Sequence, residues 1–111
     1  MNRVVITGAG VVSSLGMDLN TNLNSLSEGK NGIGPIDFLN AERLSVRIGG
    51  QIHNYNPYDH FSKQENSIYD KFTQFALIAS KQAVSSSGIE LKDKDSTEIG
   101  VILIAIEQRI H

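Results

Sequence analysis

Residues 4–10 read Val-Val-Ile-Thr-Gly-Ala-Gly, a β-branched run followed by two closely spaced glycines. Consecutive β-branched residues without polar alternation are typical of a strand that is buried on both faces of a parallel sheet. The glycines that follow indicate a sharp turn into the next element. We therefore predict that residues 4–6 form the first strand of an α/β domain.

A first helix is predicted downstream of this turn. Leucines recur there at i, i+4 and i+7, at Leu19, Leu23 and Leu26. This spacing is the pattern of an apolar stripe that faces the core. Asp18 or Asn20 is suited to cap the start of the helix, and Gly29 lies where a left-handed residue commonly ends one.

A second and longer helix is predicted over residues 69–87. Apolar side chains recur at helical spacing at Phe72, Phe75, Ala76, Ala79 and Ala83. Lys81 and Gln82 fall outside this stripe, and Gly88 is suited to end the helix.

The remaining segments complete a predicted order of strand, helix, short strand, long helix and strand. They are a loop at residues 31–40, a weak edge or bulged strand at 46–52, an irregular connection at 53–67, a charged loop at 91–97 and a second continuous apolar strand at 99–106. Gly49 and Gly50 are expected to interrupt the weak strand. Strands that alternate with helices indicate α/β architecture with right-handed crossovers.

Composition narrows the possible functions. The chain has 111 residues, which allows one small domain or a piece of a larger one. Its net charge of −2 argues against nucleic-acid binding, and the absence of cysteine excludes disulfides, thiolate metal sites and a cysteine nucleophile in these residues. Since no apolar run is long enough for a secretory signal or a membrane span, we expect a cytoplasmic protein without membrane contact.

The turn at Gly8 and Gly10 invites comparison with dinucleotide-binding motifs, in which glycines bring backbone amides close to a pyrophosphate. The G-x-G-x-x-G pattern fails because Ser13 occupies its last glycine position, and the T-G-x-x-x-G-x-G pattern fails at Val12. The β-branched Val11 and Val12 would also crowd a phosphate. We therefore expect a tight turn with close chain packing.

The titratable residues show no arrangement that predicts a site. The spacing of His53, Asp59 and His60 matches no closed zinc site, so surface or capping roles are expected. Glu65 and Asp70 lie near the start of the long helix, where they favour its dipole.

The serines show no nucleophile pattern either. Ser13 and Ser14 follow a glycine-rich turn but lie outside a G-x-S-x-G elbow. Residues 85–87, three serines in a row, stand at a helix end, where small polar residues are ordinary. No catalytic, cofactor-binding or metal-binding residue is predicted from these patterns.

Several of these segments together resemble a known family, the β-ketoacyl-acyl-carrier-protein synthases, which are the elongating condensing enzymes of fatty-acid and polyketide synthesis. The similar segments are the opening stretch at residues 4–16, the next loop at 29–36, the short strand at 46–52, the long helix at 70–76 with its exit at 87–89, and the start of the last strand at 99–102. The resemblance runs in unbroken order from Arg3 to about Leu103.

The resemblance implies a thiolase-type fold, a duplicated α/β/α/β/α layered architecture that forms homodimers. This chain would supply only its first strands and helices. In that family an acyl group moves onto a cysteine thiol, malonyl-carrier protein is decarboxylated and a carbon–carbon bond forms. The cysteine and two histidines responsible lie downstream of the matched stretch, so they do not correspond to His53, His60 or His111. Acyl carrier protein and a second copy are the partners implied, and no cofactor is.

Two departures from the family pattern stand out. After Val101 and Ile102 the family continues into a glycine-rich turn, whereas residues 103–106 read Leu-Ile-Ala-Ile. Bacterial relatives often carry several basic residues before the long helix, where the acidic carrier protein docks. Residues 62–68 carry only Lys63, and steering of a charged partner needs clustered charge.

We expect residues 1–111 to form a partial β-ketoacyl synthase N-terminal domain that stops after the strand near residues 99–106 and is inactive alone. Two alternatives remain open at this point. One is a non-catalytic module that completes its fold with another chain. The other is a small nucleotide-binding α/β protein.

Overall fold

The computed structural model describes residues 2–37, 41–90 and 97–105. Its helices and strands are, in chain order, α1 (Leu19–Ser27), β1 (Ile33–Pro35), β2 (Ile48–Gly50), α2 (Lys63–Ile68) and α3 (Lys71–Ser87). Short 3-10 turns lie at Ala41–Arg43 and Pro57–Asp59. The described residues thus combine helices with a two-stranded antiparallel sheet.

Helix α1 begins and ends as predicted. Of the two candidate caps, Asp18 is the one used: the Thr21 N–H donates to Asp18 Oδ1 at 2.7 Å. This hydrogen bond lowers the pKa of the Asp18 carboxyl from its usual value. Gly29 follows the helix in the left-handed region, with a φ of 69°.

The inward side of α1 is polar, which corrects the predicted leucine stripe. Asn22 and Ser25 are its buried residues, whereas Leu23 and Leu26 are 54% and 63% exposed. Asn22 and Ser25 both donate hydrogen bonds to carbonyls of residues 15–16. These bonds turn the polar side of the helix toward the preceding turn and leave the leucines outside.

Strands β1 and β2 pair antiparallel, with Ile33 opposite Gly50. Strand β1 lies in the segment predicted as a loop, so that prediction is wrong. Strand β2 confirms the weak strand predicted within residues 46–52, but it includes Gly49 and Gly50, which were expected to interrupt it. In both cases the backbone ladder outweighs the poor strand propensity of glycine and proline. Gln51 extends the pairing: the Asp37 N–H donates to Gln51 Oε1, and Gln51 Nε2 donates to the Asp37 carbonyl, both at 2.7 Å.

Residues 4–6 and 99–105 form no strand, which corrects the first and last predicted strands. Val4 is 95% exposed and Val101 is 89% exposed. A strand exists only as part of a hydrogen-bonded sheet, and neither segment pairs with another among the described residues. Other positions of the predictions lie outside the described residues, namely residues 91–96, Ile106 and His111.

The segment predicted as an irregular connection, residues 53–67, contains most of α2. The helix starts with a capping box: the Glu65 N–H donates to Ser62 Oγ at 3.1 Å, and the Ser62 N–H donates to Glu65 Oε1 at 3.0 Å. Polar composition suggested a loop here. The prediction is wrong because this Ser-x-x-Glu pair satisfies the first amides of a helix.

Helix α3 confirms the predicted long helix and ends before Gly88, which has a φ of 74°. It starts at Lys71 rather than Tyr69, because Tyr69 is extended at the end of α2. Its buried residues are Gln74 and Ile78, whereas Phe72 is 58% exposed. The predicted apolar stripe is therefore not the most buried side of the helix.

Helix α3 organises the described residues because three segments lie along it. Residues 8–11 contact its C-terminal half, residues 55–69 contact a second side, and residues 101–105 line a groove on a third. Phe61 and Ile78 are the buried apolar residues of the described chain. None of the described helices is both long and apolar enough to cross a membrane.

The capping box of α2 can be tested through Glu65. Hydrogen bonds with Ser62, first of all the one from its backbone N–H, lower the pKa of Glu65 from its usual value. The stabilising effect of the cap is present above the usual pKa and is lost as the pH falls through the lowered one. We therefore expect the NMR chemical shift of the Ser62 amide proton to report the titration of Glu65, with a midpoint below the ordinary glutamate pKa of about 4.3.

The matched control is Glu65→Gln, in which a neutral side-chain oxygen still accepts the bond. The chemical shift of the Ser62 amide proton should no longer titrate over that range in this variant. A titration at or above the ordinary value in the parent chain would contradict the capping box.

Candidate functional site

The glycine segment, residues 8–10, packs directly against the backbone of α3. A Cβ atom on Gly8 would lie 2.2 Å from the Ala83 carbonyl oxygen, and one on Gly10 would lie 2.0 Å from the Ala79 carbonyl oxygen. Any larger residue would therefore push this segment away from the helix. The predicted role of the glycines in close chain packing is confirmed. The predicted sharp turn is wrong, because residues 2–12 contain no turn or bend and the segment runs along the helix.

Backbone amides in and next to the glycine segment are already hydrogen-bonded to α3. The Ala9 N–H donates to Ser86 Oγ, and the Val11 N–H donates to Gln82 Oε1, both at 3.1 Å. A phosphate-binding turn presents its N–H groups to the ligand instead. At these two positions the amides are hydrogen-bonded to the helix, so the segment does not have the geometry of a dinucleotide site.

Gln82 connects two separate loops to α3. Its Nε2 donates to the Met17 carbonyl at 2.5 Å, while its Oε1 accepts from Val11. An amide side chain offers a donor and an acceptor at once, so one residue can hold two backbone segments. The prediction that Gln82 lies outside the packed side of the helix is wrong for this reason.

A second amide, Gln74, holds residues 55–69 against α3. Its Nε2 donates to Asn66 Oδ1 and to the Tyr69 carbonyl, both at 3.0 Å, and its Oε1 accepts from the Tyr55 hydroxyl at 2.5 Å. Burial raises the pKa of the Tyr55 hydroxyl. Buried polar groups are costly unless paired, and every buried polar side-chain atom in the described residues has a partner.

The serines considered as nucleophiles have partners that cannot serve as a base. Ser13 Oγ donates to Asn22 Oδ1 and accepts from the Leu15 N–H, and Ser87 Oγ donates to the Val84 carbonyl at 2.7 Å. A serine nucleophile needs an adjacent group that takes its proton, and an amide or carbonyl oxygen does not. Three other serines are exposed, namely Ser14, Ser85 and Ser86.

Three of the titratable residues considered above are exposed, namely His53, Asp59 and His60. His53 is exposed, Asp59 Oδ1 accepts from Asn56 Nδ2 at 3.4 Å, and the His60 ring stacks on Tyr55 with centroids 6.2 Å apart. In the part of the chain that the structure describes, no three His, Cys, Asp or Glu side chains lie close enough together to hold a metal ion.

A cleft of about 390 Å³ lies between α3 and the loop before α1. Its lining residues include Asp18, His60 and Lys81. Asp18 caps α1, and Lys81 Nζ lies 5.5 Å from the centroid of the Phe61 ring in a cation–π contact. Two of the three titratable side chains in this cleft therefore already have partners in the fold.

An apolar groove of about 480 Å³ lies between α3 and the last described segment. One wall is formed by side chains of α3, at Phe72, Thr73, Ala76, Leu77 and Ser80, and the other by Val101, Leu103, Ile104 and Ala105. None of these side chains is charged. The groove is therefore suited to an apolar occupant rather than to acid–base or ionic chemistry.

Sequence reasoning missed the polar side chains that join the elements. They are Asn22 and Ser25 on α1, and Gln74 and Gln82 on α3. A usable signal existed for the pair on α1, because Asn22 and Ser25 are spaced i, i+3 and therefore lie on one side of the helix.

Comparison with known proteins finds consistent similarities over most of the chain. The family model described as beta-ketoacyl synthase, N-terminal domain, matches residues 1–108. The chain is similar to 3-oxoacyl-[acyl-carrier-protein] synthase 2 of Staphylococcus aureus (strain N315), with 38% identity over 99 residues, covering 89% of this chain and 24% of the relative. It is also similar to the protein of the same name from Synechocystis sp., with 34% identity over 101 residues, covering 91% and 24%. The chain thus spans about a quarter of the length of these curated relatives.

Substituting Gly10 by alanine tests the packing of the glycine segment on α3. The added methyl group would overlap the Ala79 carbonyl, so we expect Gly10→Ala to displace the segment at a cost of roughly 1–3 kcal/mol. Hydrogen–deuterium exchange should then show the Val11 amide losing protection, because its bond to Gln82 is broken.

The matched control for this substitution is Gly34→Ala. Nothing lies within 4 Å of a Cβ atom at Gly34, so exchange at Val11 should stay unchanged. Equal protection of the Val11 amide in the parent chain and in Gly10→Ala would show that its hydrogen bond to Gln82 does not depend on the close approach of Gly10 to α3.

Proposed function

Because the chain belongs to the β-ketoacyl synthase family, we propose that it forms the N-terminal portion of a 3-oxoacyl-[acyl-carrier-protein] synthase. The observation that carries this proposal is the match of residues 1–108 to the N-terminal domain of that family. Identities of 38% and 34% to named synthases support it. The same similarities give no support to a companion module or a small nucleotide-binding protein.

The reaction that we propose for the whole enzyme is a decarboxylative condensation. An acyl group moves from a carrier thioester to a cysteine thiol, with release of the carrier thiol. Malonyl-carrier protein then loses carbon dioxide, and the resulting carbanion attacks the acyl-cysteine carbonyl, forming the carbon–carbon bond and freeing the cysteine. The chain contains no cysteine, so we assign the reacting groups to the remainder of the enzyme.

The role that we assign to this chain is structural. A condensing site depends on holding two substrates and three side chains in a fixed geometry. Two contacts support such a role: the approach of the glycine segment, residues 8–10, to the backbone of α3, and the hydrogen bonds from Gln82 to two loops. Contacts of this kind fix the positions of the elements, because they join one backbone to another directly or through an amide side chain.

The thiolase-type layering belongs to the same proposal. We propose that residues 1–111 form a partial N-terminal domain, with residues 4–6 and 99–106 as strands when neighbouring strands from the rest of the enzyme are present. Their β-branched composition supports this, as does the exposure of Val4 and Val101. Helix α3 would cover that sheet, since residues 8–11 and 101–105 both lie along it.

Acyl carrier protein and a second copy of the enzyme are the partners that we propose for the whole synthase. Residues 62–68 supply one cation, Lys63, and the carboxylate of Glu65, which is engaged in the capping box of α2. Docking of an acidic carrier relies on clustered positive charge. We therefore assign carrier docking to residues outside this segment.

A condensation assay tests the proposed function. We expect the chain alone to form no product from acyl- and malonyl-carrier protein, because it has no thiol to accept the acyl group. A fusion should restore condensation if it joins the whole chain, through a flexible Gly/Ser linker, to the C-terminal three quarters of the Staphylococcus aureus relative.

The matched control is the same fusion with its nucleophilic cysteine replaced by alanine, which should form no acyl-enzyme. Turnover by the chain alone would contradict the structural role. A folded fusion that forms no product would contradict the proposed reaction.

A further inference from the structure

We infer that Asn31 is a site of spontaneous deamidation in the folded chain, where a succinimide intermediate converts this asparagine to aspartate and isoaspartate. Residues 31 and 32 read Asn-Gly and lie immediately before β1. The inference concerns a chemical modification of the chain itself and does not depend on the proposed function.

The reaction uses only water and releases ammonia. The Gly32 nitrogen gives its proton to water and attacks Cγ of Asn31, which forms a new carbon–nitrogen bond. The side-chain nitrogen of Asn31 takes a proton from water and leaves as ammonia, so that the succinimide ring closes. Water then adds to one of the two ring carbonyls and breaks its bond to the ring nitrogen. Opening at the former side-chain carbonyl gives aspartate, and opening at the main-chain carbonyl gives isoaspartate.

The structure leaves the reacting groups of this pair accessible. Asn31 is exposed and Gly32 is half-buried, and neither residue lies in a helix or a strand. In the part of the chain that the structure describes, the Gly32 N–H donates no hydrogen bond. Glycine has no Cβ atom that would hinder the approach of its nitrogen, and its backbone adopts conformations that other residues avoid. The attacking nitrogen is therefore able to reach Cγ.

A hydrogen bond at the Asn31 side chain favours the step that closes the ring. The Ile33 N–H donates to Asn31 Oδ1 at 2.9 Å. Attack on Cγ places negative charge on this oxygen, and a donor that already points at a developing oxyanion lowers the barrier. The same bond folds the Asn31 side chain back over the backbone that contains the Gly32 nitrogen.

Packing explains why glycine, the residue that permits the reaction, occupies position 32. A Cβ atom there would overlap Ser14 Oγ and would lie 3.2 Å from Leu15 Cδ2. Any side chain would therefore displace this segment from the loop that precedes α1. A bulkier residue would protect Asn31 by hindering the attack, but the fold does not accommodate one.

Isoaspartate would change this packing, whereas aspartate would not. It lengthens the main chain by a methylene group immediately before Gly32, which then cannot keep its position against Ser14. Strand β1 begins at the following residue and would shift relative to β2. The Ile36 N–H, which donates to the Arg47 carbonyl at 2.8 Å, is a sensitive point in this pairing.

Peptide mapping by mass spectrometry tests the inference after incubation in a mildly alkaline buffer, in the chain alone and in the linker fusion described above. We expect the mass gain of an amide-to-carboxyl conversion at Asn31. Asn24 is an internal control, because it is exposed and precedes the small Ser25 but lies in α1, where helical dihedral angles do not allow the ring to close. Conversion at Asn31 should be faster by about tenfold or more, since placement of the reacting atoms controls an intramolecular step.

The matched variant is Asn31→Gln, which keeps a neutral amide but places its carbon one methylene group farther from the next nitrogen. It should show no mass gain at this position. Incubation in guanidinium chloride separates a reaction of the folded chain from one of the unfolded chain. Absence of conversion at Asn31 under native conditions would overturn the inference, as would conversion only in guanidinium chloride or equal rates at Asn31 and Asn24.

Amide hydrogen exchange tests the effect on the sheet. The added negative charge allows ion-exchange chromatography to separate the modified chains. In the isoaspartate fraction the Ile36 amide should exchange faster than in the parent chain. Asn31→Asp adds the charge without the methylene group, so it should leave this exchange unchanged. Equal exchange at Ile36 in the isoaspartate fraction and in the parent chain would contradict the coupling of position 31 to the sheet.

Discussion

The close approach of the glycine segment, residues 8–10, to the backbone of α3 is the constraint on which the rest of the described structure depends. It brings the Val11 amide within reach of Gln82, whose other end holds the Met17 carbonyl. Met17 immediately precedes the cap of α1, so the position of that helix follows from the same contact. A side chain on either glycine would therefore disturb a series of contacts that extends to α1.

The polar character of these contacts explains how the positions of the loops are specified. Gln74 and Gln82 determine which loop lies where, because a buried amide must find particular donors and acceptors. Each such bond stabilises the folded state by only about 0.5–1.5 kcal/mol. Apolar burial is the larger driving force for folding, and Phe61 and Ile78 are the buried apolar residues of the described chain.

Local signals in the sequence predicted both ends of α1 and the end of α3 correctly, whereas burial was predicted poorly. Asp18, Gly29 and Gly88 act within one or two turns of the chain, so neighbouring residues suffice to identify them. The exposure of Leu23 depends on which elements pack against α1, and the residues around Leu23 do not specify them. Residues 4–6 are a similar case, since a strand requires a partner that its own sequence does not specify.

The candidate site shows the same division between local and long-range information. Spacing alone weighed against a nucleotide site, because Ser13 replaces a required glycine. The physical reason is that the amides of Ala9 and Val11 are hydrogen-bonded to Ser86 and Gln82. Only the structure shows this, because these residues are far apart in the chain. Family membership was accessible from the sequence because it rests on several motifs in order, which no single contact has to support.

The spacing of the two glycines has a consequence for how such segments are recognised. They are two residues apart and meet carbonyls of Ala83 and Ala79, which are about one helical turn apart. Two residues of extended chain reach about 6.6 Å and a helical turn rises about 5.4 Å, so the two repeats nearly coincide. An extended segment that runs along a helix at this distance needs glycine at every contact, which is every second residue, whether or not a cofactor exists. Searches that identify nucleotide-binding proteins by a glycine pair will therefore also find segments of this kind. The hydrogen-bond partner of the amide between the two glycines distinguishes the two classes.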